Sequence, residues 1–247
     1  MTWIKKNSKT ELLSFINSVE APIIGPPTEY AGGKVLWLRH DVDYDLDHAL
    51  WFAQKEASEG FAATYFLLHT APYFDYSSDL VEKVLLLLEM GHQIGLHNDA
   101  ISVWHKTGEH PRDILTRPLD FLRGICPVIG TSCHGAREHY DRGYFNYEVW
   151  KEWDRNENEG FCQVNCPQIS LTKMGLEYEA YFLPYTHYFS DSGNNWVGYV
   201  VEGKKPFERT AAFSPGNLGT NVINEFNKAD EGLFQMLLHP CHWECVE

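Results

Sequence analysis

What most constrains the fold of this chain is a rhythm: short apolar runs, each closed by aspartate or histidine, separated by longer amphipathic stretches. Residues 35–38 lead into Arg39-His40-Asp41-Val42-Asp43, and residues 63–68 end at His69. Residues 93–96 end at His97, residues 128–132 lead to His134, and residues 234–238 end at His239. Between the first two runs, Leu46, Leu50, Phe52, Ala53 and Ala57 recur at helical spacing, and Gly60 stops the pattern. Residues 80–90 form a second helical stretch stopped by Gly91, and a third over residues 111–123 opens on proline. Strand-like runs alternating with helical stretches of about 10–15 residues predict parallel βαβ units, hence an α/β fold. The chain has 247 residues, which suits one domain of the β/α-barrel type. Residues 1–33 read as a helix and lead-in loop, and residues 34–247 as the barrel. The stretch from about 139 to 230 is rich in aromatics, Gly and Asn, and its elements are placed only loosely.

In parallel β/α folds the carboxyl ends of the strands converge on one face, where active sites are assembled. Asp41 and Asp43 stand two apart, so an extended chain aims both to one side. Two such carboxylates repel unless a cation or a division of labour separates them; a metal ligand beside a general base is such a division. An Asx-turn of solvated acids is the plainer alternative. His97 sits at a strand end, and His134 precedes a glycine that lets backbone approach a ligand. His239 precedes Pro240 and titrates where a proton donor must. His69 is a further candidate, and His40 is a candidate for orienting a carboxylate. Asp191 and Trp196, in YFSDSGNNW, complete the set. Carboxylate with imidazole is the donor mixture that zinc and other divalent ions take.

A net charge of -14 argues against nucleic acid, whose binding rests on neutralising phosphates with Lys and Arg. No run reaches the roughly 18 apolar residues of a membrane span, and no secretory h-region is visible, so a cytoplasmic protein is expected. The six cysteines include two pairs at x3 spacing, Cys162/Cys166 and Cys241/Cys245, which read as buried thiols ahead of a structural zinc site.

The segments LRHDVDYDLDHAL, ATYFLL, EMGHQIGLHND, YFSDSGNNW and LLHPCHW, in this order, resemble the polysaccharide deacetylase (NodB-homology, family 4 carbohydrate esterase-like) superfamily, in its HDVD-type branch. The resemblance runs from about Leu36 to Trp243 and is thin between residues 140 and 180. It implies a distorted (β/α) barrel of about seven parallel strands. It also implies a divalent metal, most often zinc, and hydrolysis of the N-acyl group of an acylated amino sugar or glycoconjugate. By position, Asp41 would be the general base, Asp43 and His97 metal ligands, His239 the general acid and Asp191 the carboxylate that tunes it. The histidine usual four residues after His97 is here Ile101, so the third ligand is expected from His134, with Asp99 next. Arg137 would stand in for the arginine of the third motif. His40, Arg137, Trp196, His69 and Asp99 are expected around the substrate, with Tyr181, Tyr185 and Tyr188 lining a cleft for sugar rings. The missing signal peptide points to a nucleotide- or lipid-linked precursor. The alternatives are a catalytically degenerate carbohydrate-binding protein on the same fold, and a hydrolase of a non-sugar amide.

Overall fold

The apolar run at residues 35–38 lies within the longest strand. In the computed structural model, which describes residues 17–19, 22–24, 27–153, 164–192, 197–201, 209–213 and 223–243, a two-residue strand β1 (Ile23–Ile24) precedes β2 (Lys34–Val42). All of β2 after Lys34 is buried, as in a strand covered on both faces. Helix α1 (Leu46–Ser58) follows, started by Asp45, whose carboxylate accepts the His48 N–H at 2.9 Å. Then come β3 (Thr64–Leu68), α2 (Ser78–Glu89), β4 (Gln93–Asn98), α3 (Ala100–Thr107), α4 (Pro111–Arg123) and β5 (Gly130–Cys133). The remainder is α5 (Arg137–Asp141), β6 (Tyr178–Glu179), β7 (His187–Ser190), β8 (Val197–Val201), β9 (Arg209–Phe213), α6 (Ile223–Lys228) and β10 (Gly232–Leu238).

The strands form one sheet in the order β6-β5-β4-β3-β2-β10-β7-β8-β9, with β1 paired to β2. Seven strands of this path run parallel, while β8 and β9 are added antiparallel. Chain neighbours from β2 to β6 are sheet neighbours, and β10 returns beside β2; this is the strand order of an opened (β/α) barrel. No helix among the described residues is long and apolar enough to cross a membrane. The N-terminal helix expected from the sequence lies outside the described residues.

The chain divides into two compact units. The first, Met1–Tyr65, Leu86–Gln93 and Leu183–Glu247, is built on the β2–β10–β7 pairing. Its core includes Leu36, Trp37, Phe52, Phe234 and Leu237, all nearly solvent-free. Side chains alternate along β2. His40 therefore faces α1, stacked on Tyr65 with ring centroids 4.4 Å apart, while Arg39 and Asp41 share the opposite face. Behind the strand, the buried Glu56 carboxylate accepts from His40 Nε2 at 2.6 Å and from the Tyr65 hydroxyl at 2.8 Å. Burial first, and then the Glu56 charge, hold the Tyr65 phenol well above its usual range, so it stays a neutral donor.

The second unit, Phe66–Leu85 and Ile94–Phe182, carries the β4–β5–β6 pairing with α3 and α4. Helix α4 buries Ile114, Leu115, Leu119 and Leu122 along one face. Gly95 lets the Phe66 ring lie directly on the β4 backbone, where a Cβ would overlap ring carbons Cδ1 and Cε1.

Candidate active site

Register puts the chemistry of the first unit in one row. Leu238 of β10 pairs with His40 of β2, so the next residues, His239 and Asp41, follow side by side at the carboxyl ends. Ser190 of β7 pairs with Leu237, which brings Asp191 to the same level. Asp41 is buried and gripped by the planar Arg39 fork: Nε donates to Oδ1 at 2.9 Å and Nη2 to Oδ2 at 2.7 Å. The i, i+2 spacing on one strand face makes this pair. Asp191 is fully buried and accepts from His239 Nδ1 at 2.6 Å, from the His239 amide, and from Trp243 Nε1 at 2.8 Å. His242 Nδ1 donates to the Asp191 carbonyl at 3.0 Å.

Charge follows from this wiring. Burial alone would lower the His239 pKa; the Asp191 charge and hydrogen bond outweigh it, Asp43 and Asp41 add to them, and the ring is pushed up to about 9. Burial opposes ionisation of Asp191, yet His239 and His242 hold its carboxyl far below the usual range. His239 is thus an imidazolium at neutral pH, with Nδ1 tied to Asp191 and Nε2 carrying the proton that can be given away.

The second unit supplies a pair of imidazoles. His97 lies opposite Ser132 in the β4–β5 ladder, and its Nδ1 donates to the Ser132 carbonyl at 3.0 Å. In that tautomer Nε2 is the nitrogen that carries the lone pair, the form in which an imidazole binds a cation. His134, one residue past β5, turns its Nδ1 to His97 Nε2 at 3.4 Å, with the rings nearly perpendicular. Two nitrogens bound tetrahedrally to zinc at about 2.05 Å stand about 3.3–3.4 Å apart. The pair fits a zinc-sized ion as it stands. By contrast, Asp191, His239 and His242 also converge, but both imidazole Nδ1 atoms already turn their hydrogens to Asp191. That group is a hydrogen-bonded cluster.

Of the other residues expected around the substrate, several stand elsewhere. His40 is fully buried on the helix side, where its ring nitrogen is taken up by Glu56. His69 Nε2 accepts the Asp99 amide hydrogen at 3.0 Å, and its enclosure, opposed by Asp99 and aided by His97 and His134, lowers its pKa to about 4. It is a neutral acceptor that fixes the β4–α3 turn. The Asp99 carboxylate accepts from Thr70 at 3.2 Å and from Asn146 at 2.9 Å. Arg137 opens α5, its side chain outside what is described, as is Trp196. Tyr185 and Tyr188 are almost fully buried and pack together, while Tyr181 is half-buried in the second unit. Cys126, Cys133 and Cys166 are buried thiols and Cys241 is half-buried; Cys162 and Cys245 lie outside the described residues. Ile101, where the resemblance expects a ligand, is a fully buried residue of α3.

Two residues escaped the sequence reading. Arg39 carried a signal, a cation two places before a strand-end aspartate. Asn146 carried none.

No family model matches the chain, and no curated protein matches it. Two solved structures are similar to it. One is a family 4 carbohydrate esterase from Bacillus anthracis, 16% identical over 54% of this chain and 61% of that one, with a TM-score of 0.32. The chain thus spans less than two thirds of that structure's length. The other is the catalytic domain of a peptidoglycan N-acetylglucosamine deacetylase from Eubacterium rectale ATCC 33656. It is 13% identical over 91% of this chain and 82% of that one, with a TM-score of 0.43.

Proposed function

We propose that the protein is a metal-dependent hydrolase that removes an N-acetyl or other N-acyl group from an amino-sugar-containing substrate, in the making of surface polysaccharide or glycoconjugate. One observation carries this reading: a strand-end carboxylate held by arginine beside a histidine kept protonated by a buried aspartate. That is a base and an acid with their protons already on the right partners. From the sequence, Asp43, His97 and His134 would hold the ion, with His97 and His134 standing as the imidazole pair. A divalent ion such as zinc, when bound, polarises an acyl carbonyl and lowers the pKa of water toward about 7.

The chain's own residues do the rest. Each Asp41 oxygen takes one N–H from Arg39, which fixes the plane of the carboxylate and leaves lone pairs to accept a proton from the attacking water. His239 Nε2 gives its proton to the departing nitrogen, and Asp191 stabilises the ring while it is charged. The sugar in the substrate is supported by the five segments that resemble polysaccharide deacetylases.

The test is acetate release from N-acetylglucosamine oligomers by zinc-loaded protein. Asp41→Asn and His239→Gln should each lower the rate about 10²–10⁴-fold. An Asp41→Asn protein as active as the wild type would remove the base from this scheme.

A further inference from the structure

The imidazole pair owes its spacing to something other than the sheet. The β4–β5 ladder ends at Asn98 opposite Cys133, and His134 lies beyond it. From there the two chains part, one turning into α3 at Ala100 and the other running on to α5. One backbone bond still crosses, from the His134 amide to the Asn98 carbonyl at 2.8 Å. Beyond that bond, the path of the His134 backbone also depends on what its carbonyl accepts.

Asn146 closes this gap. It is fully buried in a short 3-10 turn, Asn146–Val149, and its single amide is used completely. The Nδ2 hydrogens go to the His134 carbonyl and to Asp99 Oδ1, both at 2.9 Å. Oδ1 accepts the amides of Ile101 at 2.9 Å and Ser102 at 3.4 Å, two of the donors that a helix start leaves without partners. Its backbone carbonyl takes the Asn98 side-chain N–H at 3.2 Å. One residue therefore clamps the His97 strand end and the start of α3 on one side, and the His134 backbone on the other.

We infer that Asn146 is the positioning residue that sets the His97–His134 separation, and with it the affinity of this imidazole pair for a divalent ion. The inference rests on the metal reading above. A carboxylate in its place accepts but cannot donate, so the bonds to His134 and to Asp99 are both lost while the bonds from α3 can remain.

The experiment is a cobalt(II) titration of metal-free full-length protein, read by visible absorbance, with a thermal melt of each variant alongside. Asn146→Asp is expected to weaken binding about 10–100-fold, as loss of a ligand-orienting partner does. Ser102→Ala is the control. Ser102 bonds His139 and Tyr144 in the same buried network without touching His134, so this variant should lose stability and keep the wild-type affinity. If Asn146→Asp fails to fold, Asn146→Ser, too short to reach the His134 carbonyl, is expected to give the same loss of affinity. Binding as tight as wild type in a folded Asn146 variant would overturn the role of Asn146. So would an equal loss of affinity in Ser102→Ala. A wild-type protein that takes up no cobalt would overturn the metal reading as well.

Discussion

At the scale of single residues, the balance between burial and a neighbouring charge decides who carries a proton. His239 is enclosed, which disfavours its cation, yet a carboxylate at 2.6 Å reverses the sign. His69 is enclosed without such a partner on its ring, and stays neutral. The consequence is measurable in metal-free protein by following ring protons in an NMR titration. His239 should titrate near pH 9, and Asp191→Asn should bring its midpoint down, since burial then acts with less opposition. Because the donor form exists below that midpoint, proton delivery falls as pH rises through it and is undiminished toward neutral pH. A midpoint near the ordinary value of about 6.5 in the wild type would contradict the pairing with Asp191.

At the scale of elements, the site depends on strands ending at set places, and close packing beneath them matters. Gly95 lies two residues before His97 with the Phe66 ring against its Cα. Gly95→Ala should cost about 1–3 kcal/mol in urea unfolding, because the buried ring has no room to retreat. A cost below a few tenths would mean that β3 and β4 pack more loosely than described. The same elements mark what the sequence made legible. β2, β3, β4 and β10, with α1, α2 and α4, announce themselves through apolar runs and helical periodicity, and the structure moves their ends by only a few residues. Helix α3 did not, because its eight residues start immediately behind the strand end at His97 and are too few to show a clear helical period. β6 and β7 are too short, at two and four residues, for alternation to register. Strand-end Asp and His were visible as candidates since they break apolar runs. Asn146 was not: it lies 48 residues from Asn98 and meets it only after folding.

For the whole molecule, the chemistry divides along the chain. One unit holds Arg39–Asp41 and the Asp191–His239 pair, and the other holds His97 and His134. The central claim is that His97 and His134 hold a divalent ion. It is tested most directly by an anomalous-difference map at the zinc edge from crystals of zinc-loaded protein. The expected result is one strong peak within about 2.0–2.2 Å of a ring nitrogen each of His97 and His134. A zinc ion bound elsewhere, or these two side chains beside no peak at all, would contradict it.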